Sequence, residues 1–176
     1  MTLCWTLKML ATMAFVALLA TNAIAAARAP SCASPEYHQF DFWLGDWDVF
    51  DLDTGASTAH VQVDRILDGC VLHERYEDTT GSAGESFTTY DKGRKVWHQT
   101  WVTNRGRLLT IEGHAGREGI VMVGSYFRED GEEVRVRGTW KPVRGGVQET
   151  AAISDDDGNS WKPWFDLLFR SRGHGK

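Results

Sequence analysis

The sequence predicts an all-β protein, an antiparallel up-and-down β-barrel of about ten strands. Short runs rich in β-branched and aromatic residues recur along the chain, separated by turn segments that contain Gly, Asp or Asn. No amphipathic helix of useful length is visible. Most runs have no cleanly polar face. This favours a closed barrel with a partly polar interior over a flat sheet with one face in water.

The elements follow in order. Tyr37–Leu44 is expected to make one helical or 3₁₀ turn ahead of the first strand. The strands are predicted at Trp47–Leu52, Ala59–Ile66, Val71–Tyr76, Ser86–Tyr90, Lys95–Thr103, Leu108–His114, Ile120–Tyr126, Glu133–Lys141, Val147–Ile153 and Trp161–Arg170. Between them stand turn segments such as DTGAS, LDG, TTGSAG and EDG, in which glycine takes positive φ and Asp bonds the turn backbone.

The first 27 residues have the pattern of a secretory signal peptide. Lys8 precedes an apolar run from Met9 to Ala20, and Ala23-Ile24-Ala25 offers a cleavage site. An uncleaved anchor is the alternative, although a membrane span needs about 20 apolar residues. The rest divides into a lead-in at 28–38, a single barrel domain at 39–171 and a tail at 172–176. We therefore predict a periplasmic or extracellular protein without an integral membrane span after cleavage.

Charge indicates which partners are expected, and cysteine content indicates whether the protein forms a disulfide. The whole chain carries a net charge of -5 without any basic run, so nucleic acid is not an expected partner. Cys4 would leave with the signal peptide, and Cys32 and Cys70 would remain. In an exported chain two cysteines most simply form one disulfide, and two separate buried thiols are the alternative. The oligomeric state stays open.

The chain also carries a series of distinctive motifs. FDFWLGDWDVF (Phe40 to Phe50) is followed by LDGCVLHERYE, GESFTTYD, WHQTWVTNRGRLLTIEG, TWKP and SDDDGNSWKPWFDLLFR. In this order they resemble the secreted bacterial domain of unknown function 1579 family, over about Phe40 to Arg170. The resemblance implies a lipocalin-like (calycin) barrel and a disulfide between Cys32 and Cys70. The family usually has Asn where this chain has Thr88, and Asp where it has Thr103.

The segment SDDDGNSW is the most chemical-looking stretch of the chain. Asp155, Asp157 and Asn159 have the spacing of a calcium loop, but Ser160 stands where that loop requires glycine. The alternative is a structural turn of the Asp-box type, built from Ser154, Asp156, Gly158 and Trp161. We favour the turn, joining the last two strands, and we predict no metal site.

Histidine and glutamate supply the other candidate groups. If NRG closes a hairpin that pairs Thr103 with Leu108, His98 comes close to His114. One of these histidines could face the cavity as a general base or a haem ligand. Glu112 and Glu149 could both point inward and act as acid–base groups, or they could pair with Arg135 or Arg137 across strands.

Tryptophan is unusually common in this chain. The tryptophans are most simply core residues and barrel-end plugs, and an aromatic-lined ligand cavity is the alternative. The candidate ligand-binding residues are Trp43, Trp47, Trp97, His98, Trp101, Glu112, His114, Trp140 and Glu149.

The leading functional hypothesis is an exported barrel that binds a small, largely apolar ligand in its interior. The first alternative is a small-molecule hydrolase, isomerase or cyclase that uses an inward His or Glu, although no catalytic motif supports it. The second is a haem-binding barrel, because the related nitrobindin barrels bind haem non-covalently. No other cofactor is predicted.

Overall fold

The structure, a computed structural model, describes residues 32–117 and 119–173. The predicted signal peptide at residues 1–27 and the first four residues of the lead-in, 28–31, lie outside the described residues. Within these ranges the chain forms three 3₁₀ helices, at Pro35–His38, Asp41–Trp43 and Leu67–Gly69. It also forms ten strands, β1 to β10: Gly45–Asp51, Ser57–Ile66, Val71–Asp78, Ala83–Asp91, Val96–Thr103, Leu108–Gly116, Gly119–Phe127, Glu133–Val143, Gly146–Ser154 and Lys162–Ser171.

The strands close into an antiparallel up-and-down barrel, which confirms the predicted fold class. Each strand pairs with the next one in the chain, and β1 pairs with β10 to complete the ring. Closure leaves no unpaired sheet edge. Register shifts occur at Val49/Phe50 in β1 and at Pro163/Phe165 in β10, so the local irregularities lie next to the strand pair that closes the barrel.

One end of the barrel is filled by aromatic side chains from the segment before β1. Phe40 stacks on Trp43 with ring centroids 5.0 Å apart, and it meets Trp97 and Trp140 edge to face. Phe40 and Trp43 are fully buried. The Trp47 indole donates to the backbone oxygen of Trp43 at 3.0 Å, so the 3₁₀ segment and the first strand hold each other. We call this aromatic cluster the plug.

The plug segment is attached to the barrel at its beginning. Cys32 and Cys70 form a disulfide, as the sequence predicted, and link the segment to the chain just after the 3₁₀ helix Leu67–Gly69. The Arg65 guanidinium donates to the Gly69 carbonyl at 2.6 Å and forms an ion pair with Asp41. The covalent link and the ion pair keep the segment over the barrel end.

The hairpin between β5 and β6 differs from the prediction by one residue. Leu108 pairs with Val102 rather than with Thr103, and His98 consequently lies opposite Glu112. The Thr103 hydroxyl accepts from the backbone N–H groups of Arg105 and Arg107, and Gly106 has a φ of +75°. Thr103 ends β5, and its backbone N–H donates to the Arg107 carbonyl at 3.1 Å, so the turn joins Thr103 to Arg107 and the register moves by one position.

Candidate ligand-binding site

The interior of the barrel contains a cavity of about 710 Å³. It opens at the end opposite the plug, between the loops that follow β3, β5 and β7. Its deep wall is formed by side chains from six strands, β3, β5, β6, β8, β9 and β10: Glu74, Tyr76, Gln99, Trp101, Leu109, Ile111, Val136, Trp140, Glu149, Ala151, Leu167 and Phe169. A ten-stranded barrel is wide enough for such a space, since even eight strands can hold one small ligand.

The space exists because small residues alternate with aromatic residues on the inner wall. A side chain at Gly84 would collide with the Trp101 ring, its Cβ lying only 2.4 Å from the nearest ring carbon. Gly138 leaves room for the Trp140 ring in the same way, at 2.7 Å. The indole rings therefore lie along the wall instead of filling the centre.

Glu74 is the most buried charged side chain of the wall, with 6% of its surface exposed. Its Oε2 accepts the Ser86 hydroxyl proton at 2.7 Å, and the Gln99 amide donates to the Ser86 and Thr88 hydroxyls at 3.2 Å and 3.0 Å. Among the described residues, the Ser86 hydroxyl alone donates to Glu74, at Oε2, so a proton carried by Glu74 would reside on Oε1. Burial raises the pKa of Glu74 to about 7, although the Ser86 hydrogen bond opposes this shift.

Glu149 is the second inward carboxyl, and it lies on β9 opposite Trp140 on β8. It lines the cavity, and part of its surface is open to that space. Burial raises its pKa well above the ordinary value, and the negative charge of Glu74 raises it further. A weak contact with the Trp140 indole N–H, too loose for a full hydrogen bond, works in the opposite direction. Burial and the neighbouring charge therefore both favour the protonated form of Glu149.

The pKa of Tyr76 is also affected by Glu74 and Glu149. Burial, together with the charges of Asp78, Glu149 and Glu74, raises its pKa to about 12. Its ring meets Trp101 edge to face, with centroids 5.7 Å apart. The Tyr76 phenol therefore stays neutral at physiological pH. Its ring and the Trp101 ring form an aromatic pair close to Glu74 and Glu149.

The mouth of the cavity is more polar than its floor. Arg105 and Arg107 come from the loop after β5, and Arg128 and Glu129 from the loop after β7. Arg107 lies over the Tyr126 ring, with its guanidinium carbon 4.8 Å from the ring centroid. Trp164, at the irregularity in β10, completes the rim with 40% of its surface exposed.

The structure separates the tryptophans that sequence reasoning placed together. Trp101 and Trp140 line the cavity. Trp43, Trp47 and Trp97 belong to the plug and its surroundings, where they are buried against other aromatic residues. Both interpretations of the tryptophans thus apply, each to a different part of the barrel.

Glu149 is in the cavity, whereas His98, Glu112 and His114 lie on the outer face of the barrel. Strand alternation decides this: Trp97 and Gln99 point inward, so His98 between them points outward. His98 Nδ1 and Glu112 Oε1 are 2.8 Å apart, and Arg94 donates to both Glu112 oxygens. These hydrogen bonds lower the pKa of Glu112. The expectation that these three side chains face the ligand is corrected accordingly.

The predicted ion pairs with arginines on β8 also differ. Arg135 pairs with Asp157 at 3.1 Å, and Arg137 lies over the Trp161 ring. Neither arginine pairs with Glu112 or Glu149 among the described residues.

Sequence reasoning missed Glu74, Ser86, Thr88 and Gln99. Leu72, Glu74 and Tyr76 alternate along β3 and therefore share one face of the strand. The apolar character of Leu72 and Tyr76 is the signal that this face, with Glu74, points inward. The hydrogen-bond network across β3, β4 and β5 has no sequence signature, because its members come from different strands.

SDDDGNSW forms the turn between β9 and β10, as predicted. Asp156 accepts from the Ser154 hydroxyl at 2.6 Å and from the backbone N–H and hydroxyl of Ser160 at 2.8 and 2.6 Å. These hydrogen bonds lower its pKa to about 2. The Trp161 indole donates to the Gly158 carbonyl at 3.0 Å. The Asp156 oxygens are thus engaged by the turn itself, and no group of metal-binding side chains occurs among the described residues.

No family model matches the chain, and no curated protein matches it.

Proposed function

We propose that this protein binds a small, largely apolar molecule inside the barrel. The observation that supports the proposal is the cavity of about 710 Å³, closed at one end by the plug and open at the other. Ligand sites in proteins have volumes of roughly 300–1,000 Å³ and combine apolar walls with a few polar groups. This cavity has the same character, with Trp101, Trp140 and Phe169 as walls and Glu74 as a polar group.

We propose further that the protein acts outside the cytoplasm and belongs among the lipocalin-like proteins that its motifs resemble. The disulfide between Cys32 and Cys70 supports export, because such bonds persist in oxidising compartments. Among the described residues, no helix is both long and apolar enough to cross a membrane.

Haem fits this cavity poorly. Histidine ligation was the basis of that hypothesis, and the histidines proposed for it, His98 and His114, lie on the outer face. The cavity wall contains no histidine within the described part of the chain.

A pair of neighbouring alanines on β9 tests the binding proposal. Ala151 faces the cavity, and Ala152 faces outward. The neutral dye N-phenylnaphthylamine should bind the unmodified protein with a fluorescence increase. Ala151→Phe should weaken binding strongly because it fills the cavity, whereas Ala152→Phe should leave it unchanged. Equal binding by the two variants would place the dye elsewhere and refute the proposal.

Acid–base catalysis is a second candidate function, and the protonation of the carboxyl pair favours it. A general acid or base works best with a pKa near the operating pH, and burial brings Glu74 to about 7. Turnover found in a screen of esters and lactones should vanish in Glu74→Gln and persist in Glu112→Gln on the outer face. Turnover that survives Glu74→Gln would exclude this mechanism.

A further inference from the structure

The chemistry of the cavity wall indicates which ligands the barrel selects. We propose that the cavity binds small organic cations, with an ammonium group of the ligand seated at Glu74 and Glu149 and its apolar part against Tyr76, Trp101 and Trp140. This inference rests on the proposed function, because it names the ligand class of the same cavity.

The first argument is that both carboxyls lack a cationic partner. Among the described residues, every ion pair of a lysine, arginine or histidine is formed with other carboxylates. A buried carboxylate without a counter-charge is costly, and the cost falls when a cation is placed beside it. Glu74 and Glu149 therefore line the interior of the barrel without a positively charged partner among the described residues.

The second argument is the direction of the hydrogen bonds around Glu74. The Ser86 hydroxyl proton goes to Oε2, and the Gln99 amide donates to Ser86 and Thr88. Among the described residues, no donor reaches Glu74 Oε1. An ammonium group carries three N–H donors and no acceptor, so it matches what this wall lacks.

The third argument is the aromatic surroundings of the carboxyls. Tyr76 lies two residues after Glu74 on β3, and Trp140 lies opposite Glu149. Trp101 meets Tyr76 edge to face. Cations bind favourably over such rings, most of all over tryptophan, and the rings also cover the apolar part of the ligand.

The fourth argument is the charge at the two ends of the barrel. The loops at the open end, residues 52–56, 79–82, 104–107, 128–132 and 155–161, carry seven carboxylates and three arginines. The connections 67–70, 92–95 and 144–145 at the plugged end carry four basic residues and one acidic residue. Taken over its whole loops, the open end is therefore the more favourable one for a cation, although the mouth itself is lined by Arg105, Arg107 and Arg128 beside Asp78 and Glu129.

Binding of an ammonium group is expected to release a proton. Because burial brings the pKa of Glu74 to about 7, a cation must displace the proton below that pH and meets a carboxylate above it. Affinity should rise with pH and then level off. The other charged or titratable groups that line the cavity are Tyr76, Asp78, Arg105, Arg107, Tyr126, Arg128 and Glu129.

Displacement of N-phenylnaphthylamine tests the inference with three compounds of one shape and different charge. Phenethylamine is a cation, phenethyl alcohol is neutral and hydrocinnamate is an anion. Phenethylamine should displace the dye at concentrations roughly 30-fold lower than phenethyl alcohol, as expected for a buried charge pair, and hydrocinnamate should be the weakest. Glu74→Gln and Glu149→Gln should each reduce this preference, and the double variant should abolish it. Glu112→Gln is the matched control and should retain it.

The outcomes separate the two proposals. If the dye binds but the amine has no advantage, or if the advantage survives the double variant, the cation inference is overturned and the binding function stands. If neither dye nor amine binds the unmodified protein, both fail. If a glutamine variant does not fold, the pH dependence of binding to the unmodified protein still tests the inference. The amine preference must then fall between about pH 8 and about pH 6, and a constant preference contradicts the inference.

Discussion

The two ends of this barrel are built from the same strands and the same kinds of aromatic residue, yet they serve different purposes. At the plugged end, Phe40 and Trp43 enter from outside the sheet and fill the interior. At the open end, the Trp101 ring packs against Gly84 and borders the cavity. Backbone origin contributes to this difference: an inserted segment adds rings that fill the plugged end, whereas Trp101 and Trp140 are carried by the wall and border the cavity.

The plugged end and the open end also differ in their buried polar groups. The plug offers few polar contacts, such as the Trp97 indole that donates to Gln39 at 3.1 Å. The wall of the cavity instead contains Glu74 with its network and Glu149. The plugged half is thus organised for stability and the open half for binding, which mutations in each half can test.

Removal of a plug tryptophan should have the largest effect on stability. Trp43→Ala leaves a large void among packed rings and is expected to lower the free energy of unfolding by about 3–5 kcal/mol. Trp101→Ala should cost clearly less, because this ring already borders an open space, but should weaken dye binding more. Urea denaturation and dye titration of both variants measure the contrast. Equal stability losses would show that the two ends do not differ as described.

Removal of the disulfide should weaken the attachment of the plug. The double variant Cys32→Ser, Cys70→Ser opens a loop with a sequence separation of 38 residues. Loss of such a link should reduce the free energy of unfolding by roughly 3–4 kcal/mol in the chain-entropy model. Denaturation of the unmodified protein with and without a reductant provides the parallel measurement. Unchanged stability in both experiments would mean that the disulfide does not support the plug.

Glu74→Gln should change the pH dependence of stability. The pKa of Glu74 rises from 4.5 to about 7 on folding. The folded state therefore keeps a proton that the unfolded state has lost, and stability contributed by this group declines between these two values. Above about pH 7 the unmodified protein should be less stable than Glu74→Gln by roughly 3 kcal/mol, with little difference near pH 4.

Glu112→Gln is the control with the opposite sign. Arg94 and His98 hold the pKa of Glu112 below its ordinary value, so the charged form is favoured in the folded protein. Its replacement should slightly lower stability at neutral pH, and the difference should shrink in acid. Chemical denaturation of both variants at about pH 4, 6 and 8 makes the test. Parallel pH profiles would contradict the assignment of the two glutamates to opposite faces.

The smallest effect is expected at the turn between β9 and β10. Asp156→Ala removes the acceptor for Ser154 and Ser160 and should lower the melting temperature by a small amount. Dye binding should stay the same, because this side chain belongs to the turn. Asp157→Ala, in the same turn, is the comparison. A melting temperature that rises strongly with added calcium would contradict a purely structural role.

Much of the fold could be predicted from local patterns. The ten strands and the 3₁₀ helix Asp41–Trp43 occur where the sequence indicated them, because turn residues mark the strand boundaries. The Asp156 turn was also recognisable, since its hydrogen bonds join residues that are close in the chain. The disulfide followed from cysteine count and expected export.

The candidate site was less accessible to such reasoning. Alternation shows which residues share a face, but His98 and Gln99 are both polar and do not reveal which face is inside. The answer depends on the register of every neighbouring strand, and the β5–β6 register differed from the predicted one by a residue. For this reason Glu112 was proposed for the cavity and Glu74 was not.

The sequence by itself determined the strands, the turns and the antiparallel pairing of consecutive strands, because these depend on contacts between neighbours along the chain. Only the tertiary structure decided which aromatic rings fill the barrel and which border the cavity. It also decided that Glu74 and Glu149 face the same space from β3 and β9. Their shared burial raises both pKa values, and no local pattern reports a desolvation that arises only when the barrel closes.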